Sequence, residues 1–572
     1  MSGKAPITLP KLTLQALFAY SMEHYASFPA VQFAGGTSLT YAQLAQRVEA
    51  IQEMLHAYGI RPGDRVALYS ENMPNWSAVY FAVTTMGAVI VPILPDFHTS
   101  EVLHIATHAE CKAAFISQKL FESLLDEKQP PTMNLLVILD TLKILEKLST
   151  PSAMNKMLQK SGEQLSRAME RLGKERREDT KADIEEEDLA SIIYTSGTTG
   201  HSKGVMLSHK NLVFDATTAQ KVVDIYPHDR FLSILPLAHA FECTVGMLIP
   251  LLNGASIHYL QKAPTPTILV KAMSEVKPTF ILAVPLVIEK IYKNRIMPQF
   301  QKNFLVKMLY AIPFIRKKLH RIAGKKLMET FGGKVRFFGI GGAALCPIVE
   351  KFLREASFPY CIGYGLTETA PFLAGTNPEK TKYRAIGPVI PGVEYTLRDK
   401  NEKGIGTLWV RGPNIMMGYY KNPEKTAEIL DENGWFNTED IGFFDEEKYF
   451  FMSGRAKNII VGPSGENIYP EQIEAAINAH LLVTDSLVYD DQGILTARIH
   501  LDYEMLDEML GKKQQSETKI HEEVDQILED IRQEINAGIS SFSRIKKVIE
   551  QREPFIKTPT KKIKRYLYVE AP

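Results

Sequence analysis

The sequence has few cysteines and no surplus of charge of either sign. Cysteine occurs four times in 572 residues, at Cys111, Cys243, Cys346 and Cys361, and no two of them form a C-x-x-C pair. This spacing argues against zinc motifs and against a disulfide scaffold, and it fits a reducing cytoplasm. Because the 66 basic and 66 acidic residues cancel, no overall field directs the chain to nucleic acid.

Long hydrophobic runs are also missing. No window reaches about 18 uninterrupted apolar residues, and the most apolar stretch, 78–94, contains Tyr80, two threonines, Gly87 and Pro92. The first residues, Met-Ser-Gly-Lys-Ala-Pro, lack the charged-then-apolar pattern of a secretory signal. We therefore expect a cytoplasmic protein, attached at most to the inner face of a membrane.

Short apolar runs rich in β-branched residues alternate with helical patterns along most of the chain. The clearest predicted strands are 65–69, 88–92, 113–116 and 135–139. The alternation predicts an α/β fold with a large N-terminal domain, residues 1–454, of mostly parallel sheets flanked by helices. Within it, short strands and turns over 404–420 and 435–451 predict a strand-rich subdomain. Residues 140–188, which are highly charged, predict a surface helix and a linker.

The pattern changes near residue 454, where we place a domain boundary with a hinge at 455–457. The remaining residues, 458–572, predict a small, mobile α+β C-terminal domain. Its clearest helix carries Val524, Leu528 and Ile531 on one face and stops at Gly538.

One segment combines positive charge with apolar residues. Residues 291–328 contain ten lysines or arginines and no acidic residue, interleaved with leucine, isoleucine and phenylalanine. Two interpretations remain open. The segment can form a basic amphipathic surface that lies on an anionic bilayer, or a surface helix pair whose lysine stems cover apolar area of the core.

A loop rich in glycine and threonine gives the strongest functional signal. Residues 194–204 read Tyr-Thr-Ser-Gly-Thr-Thr-Gly-His-Ser-Lys-Gly and follow the apolar run 189–193. A strand that feeds such a loop suits a polyphosphate, because amides and hydroxyls donate hydrogen bonds and the lysine balances charge. The P-loop pattern G-x-x-x-x-G-K-[ST] fails, because Ser202 precedes Lys203 and Gly204 follows it.

A second glycine-rich segment, 339–344, follows a predicted strand at 334–338. It reads Gly-Ile-Gly-Gly-Ala-Ala and satisfies G-x-G-x-x-A, which would indicate a nicotinamide-dependent oxidoreductase. That fingerprint also needs an acidic residue about 20 positions later, and residues 358–363 contain none.

Together with further segments in the same order, these motifs resemble the adenylate-forming (AMP-binding) superfamily, and within it the long-chain fatty acyl-CoA synthetases. The further segments are 235–242 (LPLAHAFE), 363–369 (GYGLTET), 435–442 (WFNTEDIG), 453–457 (SGRAK) and 558–565 (TPTKKIKR). The resemblance covers roughly residues 12–569. Two positions depart from the family pattern, because Glu439 and Lys561 stand where many relatives have glycine.

The resemblance implies a role for each motif. ATP phosphates would meet the loop, adenine would meet a glycine turn and Tyr364, and the ribose would meet Asp440. The implied nucleotide-binding residues are Thr195, Ser196, Gly197, Thr198, Thr199, Gly200, Lys203, Gly341, Gly342, Ala343, Tyr364, Gly365, Thr367, Asp440, Arg455, Lys457 and Lys562. Glu368, with Thr195, would bind Mg²⁺. The implied catalytic residues are Lys562, Glu368, Thr195 and His239, with Lys561 as the alternative to Lys562.

The implied reaction has two steps. A fatty acid carboxylate attacks the α-phosphorus of ATP to give an acyl-adenylate and pyrophosphate, and the thiol of coenzyme A then displaces AMP. Rotation about Lys457 would withdraw Lys562 between the steps. A medium-chain or aryl acid, an acyl-carrier protein as acceptor, and a non-catalytic membrane-associated binding protein remain alternatives.

Overall fold

The structure is a computed structural model that describes residues 7–124, 132–145, 182–195, 202–301, 304–462, 466–510, 517–558 and 562–569. Most of the predicted linker at 140–188 lies outside these residues. Among the residues described, no helix is both long and apolar enough to cross a membrane.

Helices flank and separate the sheets. Their bounds are α1 Leu14–Tyr25, α2 Tyr41–Ala57, α3 Pro74–Thr85, α4 Thr99–His108, α5 Gln118–Phe121, α6 His209–Thr218, α7 Ile249–Leu252, α8 Pro266–Val276, α9 Pro285–Ile291, α10 Met297–Gln301, α11 Phe304–Ala311, α12 Pro313–Thr330, α13 Pro347–Glu355, α14 Pro423–Ile429, α15 Pro470–Asn478, α16 Tyr503–Leu510 and α17 Glu517–Gly538. Two π-helical segments, Glu242–Leu248 and Tyr292–Ile296, adjoin α7, α9 and α10. Many of these helices begin at proline, whose fixed φ and missing N–H suit the first helical turn.

Most strands are short. Their bounds are β1 Pro29–Phe33, β2 Leu39–Thr40, β3 Arg65–Tyr69, β4 Val89–Ile93, β5 Ala113–Ile116, β6 Leu135–Ile138, β7 Lys143–Ile144, β8 Leu189–Thr195, β9 Lys203–Ser208, β10 Arg230–Ser233, β11 Ser256–Tyr259, β12 Phe280–Ala283, β13 Phe337–Ile340, β14 Tyr360–Tyr364, β15 Ala374–Gly375, β16 Glu394–Arg398, β17 Gly406–Arg411, β18 Gly418–Tyr419, β19 Phe436–Phe444, β20 Phe450–Arg455, β21 Ile460–Val461, β22 Asn467–Ile468, β23 Val483–Asp491, β24 Ile494–Leu501 and β25 Lys547–Glu550.

Two eight-stranded sheets form the larger part of the fold. The first sheet has the order β15-β14-β13-β12-β10-β11-β1-β2, and the second has the order β18-β9-β8-β4-β3-β5-β6-β7. Pairing is parallel in the centre of both and antiparallel at their edges. Helix α3 is buried around its whole circumference, as expected for a helix apolar on all sides within a core. The predicted α/β class is confirmed.

Antiparallel strands follow in the second half of the chain. Strands β16, β17, β19 and β20 form a four-stranded sheet, which is the predicted strand-rich part. Beyond it, β23, β24 and β25 form a small sheet that shares a hydrophobic cluster with α15 and α17. Helix α17 ends at Gly538, as its sequence predicts.

The predicted strand at 334–338 was wrong in its bounds, because β13 extends to Ile340. Gly339 is therefore a strand residue. A Cβ at Gly339 would lie 2.8 Å from Cε1 of Phe337 and 2.9 Å from Cδ2 of Leu282. Close packing thus explains the glycine, and the glycine turn begins at Gly341.

Candidate active site

Part of the predicted site lies beyond the carboxyl ends of parallel strands, because Gly341 and Gly342 follow β13 and Gly365 follows β14. Ligands of open α/β sheets bind at this edge. Gly342 has φ of +84°, a left-handed conformation that glycine adopts without a steric penalty. A Cβ at Gly365 would lie 1.6 Å from the carbonyl oxygen of Pro371, so no side chain fits there. Ala343 follows the turn and is exposed.

Asp440 is held by partners from two different sheets. It is paired with Arg455 in the antiparallel register of β19 and β20, and Nε of Arg455 donates to its Oδ1 at 2.9 Å. The hydroxyl of Tyr364, at the end of β14, donates to Oδ2 at 2.6 Å. Asp440 is 2% exposed, and its charge raises the pKa of Arg455. Burial, with Asp440 second, raises the pKa of Tyr364.

Glu439, which departs from the family pattern, has a left-handed backbone. Its φ is +58°, a conformation uncommon for residues other than glycine, and this explains why glycine suits the position. The side chain of Asn437 accepts from the backbone N–H of Glu439 at 2.9 Å and stabilises the turn. The carboxylate of Glu439 lies 3.8 Å from the ammonium of Lys457.

Glu368 lies in a short 3₁₀ turn, Thr367–Thr369. Its Oε1 accepts from the hydroxyl of Tyr419 at 2.8 Å. The ammonium of Lys203 stands 5.1 Å from the ring centroid of Tyr419. Desolvation lowers the pKa of Lys203, whereas the charge of Glu368 acts to raise it. A cation and a carboxylate therefore share this side of the site.

Thr195 lies opposite Lys203 where β8 pairs with β9, and Ser196, Gly197, Thr198, Thr199 and Gly200 lie outside the described residues. Within the described chain, no group of three or more His, Cys, Asp or Glu residues could hold a metal ion. The carboxylate of Glu368 and the hydroxyl of Thr195 are hard oxygen ligands. They fit Mg²⁺, which one or two protein oxygens hold together with phosphates.

Lys562 lies within electrostatic range of the same group. Its pKa is lowered by desolvation first and by Arg455 second, while Asp440 and Glu368 act to raise it. A turn places the lysine, because its backbone N–H donates to Oγ1 of Thr558 at 3.1 Å. Lys561 lies outside the described residues.

An apolar cavity extends from the site into the protein. Its empty volume is about 890 Å³, part of it open to solvent, and Tyr364, Thr367 and His239 line it together with many apolar side chains. Desolvation, with Lys562 second, lowers the pKa of His239 to about 4. His239 is therefore neutral at physiological pH and adds no charge to the cavity.

Sequence analysis missed Tyr419 and two buried polar residues, Asp215 and Asn414. Asp215 accepts from the backbone N–H of Phe372 at 2.6 Å. Asn414 donates from Nδ2 to the carbonyls of Thr369 and Phe372 at 3.1 and 3.0 Å. Together they hold the loop that follows Glu368. The sequence signal for this contact is Asp215, a polar residue among the apolar side chains of α6.

We infer that Asp215 and Asn414 share a proton. Both are fully buried, and Oδ1 of each has no donor among the residues described. Burial raises the pKa of Asp215 well above 3.8, although the Phe372 amide and the Asn414 side chain act to lower it. A protonated Asp215 that donates to Asn414 satisfies both oxygens.

Comparisons with known proteins agree with this geometry. The family model described as AMP-binding enzyme matches residues 18–420. The peroxisomal long chain acyl-CoA synthetase 7 of Arabidopsis thaliana is 29% identical over 570 residues, covering 92% of this chain and 79% of the relative. Long-chain-fatty-acid–CoA ligase 1 of Homo sapiens is 29% identical over 572 residues, covering 92% and 80%. ATP-bound MatB from Rhodopseudomonas palustris has the same fold, with a TM-score of 0.72, 24% identity, and 97% of this chain and 98% of that one covered.

The shared proton predicts opposite effects of two substitutions at Asp215. Because the folded state keeps a proton that the unfolded chain loses above about pH 3.9, wild-type stability falls as pH rises. Asp215→Asn provides a permanent N–H donor, so its Tm should exceed that of the wild type by more at pH 8 than at pH 5. Asp215→Ala leaves two polar groups unsatisfied and should cost about 1–3 kcal/mol at both pH values.

Thermal unfolding of the three proteins at both pH values checks this prediction. An Asp215→Asn protein whose Tm difference from the wild type does not grow with pH would contradict a protonated Asp215.

Proposed function

Because the chain belongs to the AMP-binding enzyme family, we propose that it joins a fatty acid, preferably a long-chain one, to coenzyme A in two ATP-dependent steps. Family membership makes the protein an enzyme and decides against the oxidoreductase and the non-catalytic binding protein. The observation that carries the proposal is that two charged residues adjoin the apolar cavity. Asp440 is bonded to Tyr364 and Lys562 acts on His239, and both Tyr364 and His239 line that cavity.

In the first step a carboxylate oxygen forms a bond to the α-phosphorus of ATP, and the bond from that phosphorus to pyrophosphate breaks. Two anions must meet, so cations near the developing charge are the main catalytic requirement. We assign this role to Lys562, which bridges the carboxylate and the α-phosphate, and to Lys203 on the outer phosphates. Glu368 and Thr195 would hold Mg²⁺, which when bound neutralises phosphate charge.

Asp440 and Arg455 are assigned to the ribose. Asp440 has two oxygens that accept hydrogen bonds, and the ribose presents two hydroxyl donors. Tyr364 lies beside the glycine turn at Gly341 and Gly342, and the adenine fits between them. In the second step the thiolate sulfur of coenzyme A bonds to the acyl carbon, and AMP leaves with the electron pair of the broken C–O bond of the mixed anhydride.

The acid end of the site is apolar and neutral. His239 carries no charge at physiological pH, so it can orient the carboxylate without pairing with it as an ion. Each buried methylene contributes roughly 0.8 kcal/mol to binding, and the cavity is lined mainly by apolar side chains. This favours fatty acids over aryl acids, and it agrees with the long-chain relatives.

Pyrophosphate release from ATP and Mg²⁺ with fatty acids of increasing length, with and without coenzyme A, tests the function. We expect release that is greatest with long acids, and acyl-CoA and AMP as products. Lys562→Ala should slow adenylation about 10²-fold or more, as expected for an electrostatic contact made in the transition state. Lys564→Ala, a neighbouring lysine with no assigned role, is the control.

Three results would contradict these assignments. If pyrophosphate is released with aryl acids alone, the proposed substrate is wrong. If the acyl group is transferred only to an acyl-carrier protein, the proposed acceptor is wrong. If Lys562→Ala adenylates at the normal rate and Lys561→Ala loses adenylation activity, then Lys561 and not Lys562 is the catalytic lysine.

We further propose that residues 1–454 and 458–572 are two domains joined by a hinge at 455–457. Residues from 468 to 545 contribute to a hydrophobic cluster of their own, which supports a separate unit. Rotation about Lys457 would withdraw Lys562 after adenylation and admit the thiol, because a few junction residues can absorb a domain rotation.

Lys457→Pro should therefore slow thioester formation at least about tenfold more than acyl-adenylate formation, since proline fixes φ at the pivot. Lys457→Ala, which removes the ammonium but keeps backbone freedom, is the control. The two half-reactions are measured separately, by pyrophosphate release and by acyl-CoA formation. Equal loss in both would contradict a hinge at this residue.

Residues 291–328 form the proposed contact with a membrane. Helices α11 and α12 expose large apolar side chains, with Phe304 79%, Phe314 72%, Leu305 64% and Ile322 58% exposed. The inner side of α12 packs on α13, where Arg316 makes two hydrogen bonds with Glu355. The packing of the inner side supports the helix-pair interpretation, and the exposed apolar side chains of the outer side support the membrane interpretation. Basic charge and exposed apolar groups suit the surface of an anionic bilayer, reached from the cytoplasmic side.

Sedimentation with anionic vesicles at low salt should capture the wild type. The double substitution Phe304→Ser and Phe314→Ser should lower the bound fraction several-fold, because it removes buried apolar area from the bilayer. Val461→Ser, which changes an equally exposed side chain on β21, is the control. If all three proteins bind the vesicles equally, this surface is not the membrane contact.

A further inference from the structure

Three phenylalanines form a row across adjacent parallel strands of the first sheet. Phe231 on β10 is in register with Phe280 on β12, which is in register with Phe337 on β13. The ring centroids of Phe231 and Phe280 are 4.5 Å apart, and those of Phe280 and Phe337 are 5.0 Å apart. All three line the apolar cavity. We call this set the aromatic row.

The cavity face of the sheet changes from small to large side chains along the strands. Nearest the nucleotide end it carries Gly341 and Gly363. Two residues earlier in the strands come Gly339 and Cys361, which are in register with each other. The aromatic row lies two residues earlier again. Four residues of strand correspond to about 13 Å, so on β13 the bulky side chain of the row lies that far along the sheet from the glycine of the nucleotide end.

Phe338, which follows Phe337 on β13, points away from the cavity. Side chains alternate between the two faces of a sheet, and Phe338 belongs to the hydrophobic cluster on the opposite face. Its ring contacts Phe331 and Phe358 there. Phe337 and Phe338 are therefore neighbours in sequence, both buried, of which only Phe337 lines the cavity.

An ion pair between the partly exposed Arg336 and the buried Asp229 lies beyond the aromatic row. Nε of Arg336 donates to Oδ1 of Asp229 at 2.9 Å, and its Nη2 donates to Oδ2 of Asp229 and to the carbonyl of Asp224. Asp229 is fully buried. The guanidinium carbon of Arg336 lies 4.4 Å from the ring centroid of Phe280. Because separating the buried carboxylate of Asp229 from its partner is unfavourable, the pair fixes the strand ends behind the aromatic row.

We propose that the aromatic row is the end wall of the acyl site and sets the longest acid that the enzyme activates efficiently. This inference rests on the proposed function and assigns three residues to its specificity. The carboxylate end of the acid lies near His239 and Lys562, and the methyl end meets Phe231, Phe280 and Phe337. Shortening one of these side chains lengthens the site without touching the nucleotide.

The test compares two neighbouring phenylalanines. Phe337→Leu and Phe338→Leu are assayed for kcat/KM with saturated acids of increasing length, and their Tm values are measured. For each protein, kcat/KM with acids longer than the wild-type optimum is divided by kcat/KM with the optimal acid. In Phe337→Leu this ratio should rise roughly fourfold for each additional methylene that the site accommodates. Phe338→Leu should leave this ratio unchanged, although its Tm falls. Phe231→Leu, which changes the same row on another strand, should repeat the shift.

The outcomes separate the end wall from the reaction itself. If the wild type is active but Phe337→Leu and Phe231→Leu keep the wild-type length profile, the end wall is wrong and the proposed function stands. The end wall is also wrong if Phe338→Leu shifts the profile as much as Phe337→Leu. A wild type that activates no fatty acid overturns both.

Discussion

The buried carboxylate of Asp440 is the constraint around which the site is arranged. A buried charge is tolerated only when it is paired and hydrogen-bonded, and the two partners come from different places in the chain. Arg455 comes from the neighbouring strand β20, and Tyr364 comes from the end of a strand in the first parallel sheet. To satisfy Asp440, the four-stranded sheet must therefore lie against the carboxyl edge of the parallel sheet. That arrangement creates the space where the glycine turn, Glu368 and Lys562 meet.

Electrostatics divide this space into two halves. Lys203, Arg455 and Lys562 bring positive charge to one end, and Asp440 and Glu368 keep those cations apart and oriented. At the other end, desolvation keeps His239 neutral, and burial raises the pKa of Asp215 beneath the loop that follows Glu368. A highly charged nucleotide and an apolar chain can thus lie end to end, since each meets surroundings of its own polarity.

The sequence predicts those parts of the fold that depend on local pattern. The α/β class, the strands at 65–69 and 113–116, and the end of α17 at Gly538 follow from periodicity and from glycine. The motifs also place Tyr364, Asp440, Arg455 and Lys562 in one site by resemblance, and the structure brings these residues together. Local pattern does not reveal how distant residues pair. The shared proton of Asp215 and Asn414 joins residues 199 positions apart, and the aromatic row depends on strand register, so neither has a signal in the sequence.

The aromatic row and the nucleotide turn lie at opposite ends of the same strands, and this separation bears on how such proteins diversify. A strand residue near the amino end can change size while the glycines at the carboxyl end keep their positions. Selection could then alter the preferred acid by single substitutions, while the residues that bind and activate ATP stay unchanged. Proteins that descend from one ancestral gene would then differ first in the acid that they activate and later in the reaction that they catalyse.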